Sequence, residues 1–176
     1  ATHHADMHVG QSQFSQNSCS DNIGGAIACA LHEVGSLSVT DSTFDGNWAK
    51  EAGGAIETHA NGAFVSVHNS MFSGNISSNG GAISSHEAPF TCSGSTFESN
   101  QATVQTTSQS GDGGAMWLQD TTVAALTNNS FLSNEGTSGG ALMLHAVEQA
   151  TVEDCAFANN IASQPDPNSG GGASHN

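Results

Sequence analysis

The segment Leu37-Ser38-Val39-Thr40-Asp41-Ser42-Thr43-Phe44-Asp45-Gly46-Asn47 comes back, column for column, as Val65-Ser66-Val67-His68-Asn69-Ser70-Met71-Phe72-Ser73-Gly74-Asn75. The same columns are occupied by Met7, Val9, Ser12 and Phe14, by Phe90, Cys92, Ser95 and Phe97, and by Ala150, Val152, Cys155 and Phe157. Ahead of each Phe the chain alternates with a period of two, apart from a one-residue slip at Asp41 or Asn69. Such alternation marks strands with one buried face, and the slip reads as a bend between two short strands.

Working outward, Phe-x-x-Asn occurs six times, pairing Phe14 with Asn17, Phe44 with Asn47, Phe72 with Asn75, Phe97 with Asn100, Phe131 with Asn134 and Phe157 with Asn160. Successive Phe positions lie 30, 28, 25, 34 and 26 residues apart. A second signature, Gly-Gly-Ala plus an apolar residue, alternates with it at Gly24-Gly25-Ala26-Ile27, Gly53-Gly54-Ala55-Ile56, Gly80-Gly81-Ala82-Ile83, Gly113-Gly114-Ala115-Met116 and Gly139-Gly140-Ala141-Leu142. A sixth copy opens at Gly171-Gly172-Ala173. After each Gly-Gly-Ala the chain alternates again, so every repeat carries two or three short strands separated by turns.

A repeat with one narrow apolar face cannot bury it alone, and its strands must pair with equivalent strands about 4.8 Å away. The expected fold is therefore all-β: a right-handed, single-stranded parallel β-helix, a solenoid of the pectin-lyase-like kind, of about six coils. Residues 1–176 form one such domain, a segment of a longer repeat array or a unit that stacks end to end with copies of itself. Stacking predicts an internal column of Phe14, Phe44, Phe72, Phe97, Phe131 and Phe157. It also predicts a ladder of Asn17, Asn47, Asn75, Asn100, Asn134 and Asn160 at a turn. Asparagine suits that place because it tolerates left-handed backbone and its amide can bond to the same amide one coil away. The paired glycines are expected at a corner where a Cβ would clash.

The combination of Gly-Gly-Ala-(Ile/Leu/Met) with Phe-x-x-Asn resembles the polymorphic outer-membrane-protein repeats of chlamydial autotransporter adhesins and similar repeats in other surface β-helix proteins. The resemblance spans essentially the whole chain. It implies an extracellular, cell-surface passenger acting as an adhesin or scaffold, with no cofactor.

Sixteen acidic residues stand against one basic residue, Lys50, for a formal charge of −15. That field repels phosphate backbones and anionic lipid, which argues against nucleic-acid partners. No apolar run approaches the roughly 18 residues of a membrane-spanning helix, so no membrane insertion is expected in this segment.

Catalytic chemistry is sparse. Polysaccharide lyases of this fold need a basic residue near the substrate carboxylate, and Lys50 beside Glu51 reads as a surface lysine. Hydrolysis needs two carboxylates about 5–9.5 Å apart. The acidic residues are scattered, and Asp41 and Asp154 share a column with Asn69 and Asn128 that reads as turn chemistry. No catalytic residue is assigned. Among nine histidines, His59, His86 and His145 share a column interrupted by Gln119. His59 and His86 are the weak candidates for a two-ligand metal site, with stacked turn residues as the plainer reading. Cys29, Cys92 and Cys155 read as small inward-facing core residues, and Cys19 as part of a variable loop, with no disulfide pair expected. Sequons at Asn75-Ile76-Ser77 and Asn128-Asn129-Ser130 mark Asn75 and Asn128 as possible glycosylation sites, and Asn17-Ser18-Cys19 as a weaker third.

These observations favour a noncatalytic structural or adhesive element, a shaft or filament component, whose partners are a protein or glycan at a cell surface or further repeats. The loops Gln101 to Asp112 and Ala162 to Gly170 are expected to carry recognition. The alternative is a carbohydrate-binding or polysaccharide-degrading β-helix. Ice binding would need a regular threonine row, whereas Thr103, Thr106 and Thr107 sit in a loop insertion.

Overall fold

A computed structural model describes residues 5–32, 35–103 and 111–163. Among them there is no helix, and the strands fall into four parallel sheets through which the chain winds in turn. The first sheet stacks Ala5–Gly10, Gly35–Thr40, Phe64–His68, Phe90–Ser93, Val123–Thr127 and Gln149–Glu153. The second stacks Gln13–Ser15, Thr43–Asp45, Met71–Ser73, Thr96–Glu98, Ser130–Leu132 and Ala156–Ala158. The third consists of two-residue strands from Ser18–Cys19 to Ile161–Ala162, and the fourth of Ile27–His32, Ile56–Asn61, Ile83–His86, Met116–Gln119 and Leu142–His145. This is a parallel β-helix of five full turns plus three strands of a sixth. Each turn has four strands, more than the two or three read from sequence, because the third-sheet strands are too short to display alternation.

Each corner that the described residues complete is made by a residue with left-handed backbone. Between the first and second sheets these are Gln11, Asp41, Asn69, Gly94, Asn128 and Asp154, with φ of 47° to 62°. The slip in the sequence alternation is therefore a corner, and the Asp/Asn column is turn chemistry. Between the second and third sheets they are Gln16, Gly46, Gly74, Ser99, Ser133 and Asn159. This corrects the sequence reading of the ladder: the left-handed residue is the one before each ladder asparagine. The Asn is selected for its amide rather than for its backbone.

The interior is a set of side-chain columns set by register. Phe14, Phe44, Phe72, Phe97, Phe131 and Phe157 stack with ring centroids 4.7–5.0 Å apart and planes within 8° of parallel. That interval is the strand spacing itself. Beside them run Val9, Val39, Val67, Cys92, Leu126 and Val152 from the first sheet, and Ile27, Ile56, Ile83, Met116 and Leu142 from the fourth. Each middle ring is covered by a neighbour on both sides, and Phe44, Phe72, Phe97 and Phe131 are fully buried. Phe157, with a described neighbour on one side alone, is 37 % exposed.

Two polar ladders line this core. Asn47 Nδ2 donates to Asn75 Oδ1 at 2.9 Å, Asn75 to Asn100 at 2.9 Å and Asn100 to Asn134 at 3.0 Å, with Asn17 and Asn160 extending the run. The same oxygens accept backbone N–H groups from the preceding coil. One corner earlier, Ser42, Ser70 and Ser95 accept through Oγ from the backbone N–H of the coil before, and Asn129 and Cys155 continue the column. Fully buried amides persist there because each finds a partner.

The two glycines of each pair have different reasons to be glycine. Gly80 has φ +60°, and a Cβ on it would run into the backbone of Ile83. Gly81 does not need a left-handed backbone, but its Cβ would overlap the carbonyl oxygen of Gly114 one coil away and crowd Gln101 N at 2.6 Å. The corner is thus limited by the approach of successive coils as well as by the turn.

Candidate functional site

The cysteines lie where the columns put them. Cys92 is buried, and burial pushes its thiol up to about 12, so it is inert as a nucleophile. Cys29 is half-buried, its thiol also raised by burial and then by the nearby Glu57. Cys19 is not in a loop: it ends the third-sheet strand Ser18–Cys19, paired in register with Ala49. All four are free thiols.

His59 and His86 are paired in register, with parallel-stacked rings 5.8 Å apart and planes 13° apart. His86 is followed by Gln119 and then His145. Parallel rings line up their planes rather than aim two nitrogens at one point. Among the described residues no group of three or more His, Cys, Asp or Glu is placed to hold a metal ion. The pair is engaged otherwise: His59 Nε2 lies 3.7 Å from Glu87 Oε2, and the His86 ring meets Trp117 edge to face at 4.7 Å. Burial, followed by the neighbouring His59, holds the His86 imidazole below its usual range and so favours its neutral form.

The two main sequons part company. Asn75 is fully buried in the ladder, its Nδ2 donating to Phe44 O and Asn100 Oδ1, so the nitrogen that would carry a glycan is enclosed. Its proposed glycosylation is incompatible with the fold. Asn128 is an exposed corner residue. Of the expected recognition loops, residues 104–110 and 164–170 lie outside the described residues, as do Thr106, Thr107 and Gly171-Gly172-Ala173.

What sequence reading missed lies on the outer face of the fourth sheet. Register places Ala28, Glu57, Ser84, Trp117 and Met143 in one outward column. Outward residues should be wet, yet Glu57 is only 4 % exposed and Ser84 is fully buried. The chain between the third and fourth sheets rises beside them. A cavity of about 400 Å³ is lined by Ile23, Glu51, Ala52 and Asn79 from those connecting segments and by Glu57, His59, His86 and Trp117 from the sheet. Burial alone pushes the Glu57 carboxyl up to about 7, and among the described residues no hydrogen bond or ion pair reaches it. Ser84 Oγ and Trp117 Nε1 are buried without a partner among the described residues. Unpaired polar groups of this kind are rare in a stable interior. A larger concavity, about 600 Å³, lies along the first coil between His8 and Phe14 and Asp41. Among the described residues its lining holds no comparable set of groups.

Glu57 and Glu51 therefore share a cavity although nothing in their spacing announces it. An available signal was the column itself: a carboxylate and an indole stand where other repeats place Ala, Ser or Met.

Comparison with known proteins bears on the repeat rather than on this cavity. No curated protein and no solved structure matches the chain. Two segments, residues 41–59 and 69–86, match the family model for the Chlamydia polymorphic membrane protein (Chlamydia_PMP) repeat, each running from the Asp41/Asn69 corner through Phe-x-x-Asn and Gly-Gly-Ala-Ile to the histidine of the fourth sheet.

Proposed function

We propose that this chain is a noncatalytic structural and adhesive β-helix exposed on a cell surface, a shaft or filament component. The carrying observation is that two of its coils match a repeat named for a membrane protein family while the remaining coils repeat the same columns. Conserving the interior this way leaves outward positions and corner segments free to vary without loss of the fold, which suits a surface that must contact others. Its partners are then a protein or glycan at a cell surface, or further coils at either end. The test is adherence of beads coated with the folded chain to cultured animal cells, alongside negative-stain imaging of the native material. Adherence above albumin-coated beads and rod-shaped particles are expected. Adherence at the albumin level, with isolated globules, would remove this reading.

A second reading, carbohydrate binding or polysaccharide degradation, is favoured by one observation. Glu51 and Glu57 line a cavity with Trp117, and Glu57, held near 7 by burial, has the protonation range of a general acid. It is checked by assaying neutral and acidic polysaccharides for release of reducing ends. Release that disappears in Glu57→Gln would move the chain to this class.

A further inference from the structure

We propose that the cavity over the fourth sheet is a receptor site for an alkylammonium group, such as that of a lysine side chain or a polyamine, held between the carboxylate of Glu57 and the indole of Trp117. The proposal gives the adhesive reading a ligand chemistry but does not depend on it.

The strongest indication is Glu57 itself. A carboxylate 4 % exposed and without an ion-pair partner among the described residues is costly when ionised. The residues that line its cavity offer no fixed cation: none is Lys or Arg, and His86 is biased to the neutral form. Glu51, an exposed residue of the connecting segment, lines the same cavity. An incoming ammonium supplies the missing charge and takes up carboxylate lone pairs with N–H donors.

The shape fits the same class of ligand. Register places Glu57 and Trp117 two coils apart with the small Ser84 between them, so an acid and an indole flank a low position. Two strand spacings separate them by roughly 10 Å. An ammonium with a short alkyl stem bridges that gap, its charge toward Glu57 and its stem or head against the indole. A cavity of about 400 Å³ is far larger than a bare metal ion needs. The chain's −15 charge draws cations toward every face, which raises encounter rates at low salt. A neutral sugar can also pack on an indole, but it leaves the Glu57 charge uncompensated.

The experiment is an NMR and calorimetric titration of the intact chain with n-butylammonium chloride, with n-butanol and methyl glucoside as neutral probes at matched ionic strength. Expected are saturable one-to-one binding of n-butylammonium, shifts of the Trp117 indole and of the His59 and His86 ring protons, and little response to n-butanol. Glu57→Gln should weaken binding at least tenfold, and Trp117→Leu severalfold, with circular dichroism checking that each variant is folded. Because Gln keeps the shape and removes only the charge, Glu57→Gln stays informative even if Trp117→Leu fails to fold. The proposal is overturned by absence of saturable binding, by equal binding of n-butanol or methyl glucoside, or by n-butylammonium affinity that survives Glu57→Gln. A chain that binds n-butylammonium yet fails the bead assay refutes adhesion alone, and the reverse result refutes this site alone.

Discussion

Replacing Asn100 by Ala should cost about 4 kcal/mol, and the figure follows from who bonds to its amide. Asn100 Oδ1 accepts from Asn75 N at 3.0 Å and from Asn75 Nδ2 at 2.9 Å, and its Nδ2 donates to Phe72 O at 3.0 Å and Asn134 Oδ1 at 3.0 Å. Truncation removes all four. Asn75 Nδ2 keeps Phe44 O, and Asn134 Oδ1 keeps the backbone N–H of residue 100, so those two groups and Phe72 O together lose roughly 2 kcal/mol. The backbone N–H of the fully buried Asn75 loses its acceptor outright, which costs about 1–3 kcal/mol. A domain this size moves about 2–4 °C per kcal/mol, so the melting temperature should fall by roughly 8–16 °C. The assay is urea and thermal unfolding followed by circular dichroism and by Trp48 and Trp117 fluorescence. Coinciding curves from the two probes are required before a free energy is extracted, since repeat arrays can unfold piecewise. Asn17→Ala is the internal reference: Asn17 is exposed and its side chain makes one ladder bond, so its loss should stay below about 1 kcal/mol. Asn100→Asp should be worse than Ala at neutral pH, because a carboxylate would face the Asn134 and Phe72 oxygens, and should improve as the pH falls and it gains a proton. If Asn100→Ala and Asn17→Ala differ by less than 1 kcal/mol, the ladder does not hold the coils together and the reasoning fails.

Glu57→Gln should stabilise the chain above pH 7: with its folded carboxyl near 7 against an ordinary 4.5, burial of Glu57 costs nothing below about pH 4.5. The cost grows as the unfolded chain ionises and reaches on the order of 3 kcal/mol above pH 7. Urea midpoints at pH 4 and pH 8 should therefore separate for the parent and converge for the variant, and equal midpoint shifts in both would remove the assignment. Gly81→Ala should cost at least 2 kcal/mol, because its Cβ meets the next coil's backbone; Gly74→Ala, with open space around its Cβ and φ +58°, should cost about 1 kcal/mol, as thermal melts would show. Phe97→Ala should lose about 3–5 kcal/mol and the partly exposed Phe157→Ala markedly less, measured by the same unfolding curves. Expressed through a eukaryotic secretory route, the chain should carry glycan at Asn128 and not at Asn75; peptide mass mapping that finds Asn75 occupied in folded protein would contradict the ladder.

How much of this was legible in the sequence depended on whether a residue's role repeats. Phe44, Asn47 and Ile56 were readable because each has an equivalent in the neighbouring coils, and a parallel stack converts sequence period directly into spatial column. The Asp41 column was readable for the same reason, since a slip that recurs at one place must be a corner. The third sheet was not: Trp48–Ala49 is two residues long, and two residues cannot show a period. Asn47 received a left-handed backbone that belongs to Gly46, because a motif read as letters gives the conspicuous residue the property of its neighbour.

The cavity was hidden for the complementary reason. Alternation correctly gives Glu57, Ser84 and Trp117 as outward, but outward means exposed only where nothing else passes by. Whether it does depends on connecting segments such as those holding Ile23, Glu51 and Asn79, which vary in length and follow no period. The repeating positions must match one another coil after coil and have little freedom left to acquire chemistry. The segments that escape the repeat can enclose an outward carboxylate without disturbing the Phe or Asn columns beneath it. In a solenoid, then, the residues that determine the fold and those available for binding are separated by the sheet itself, and Glu57 stands on the free side.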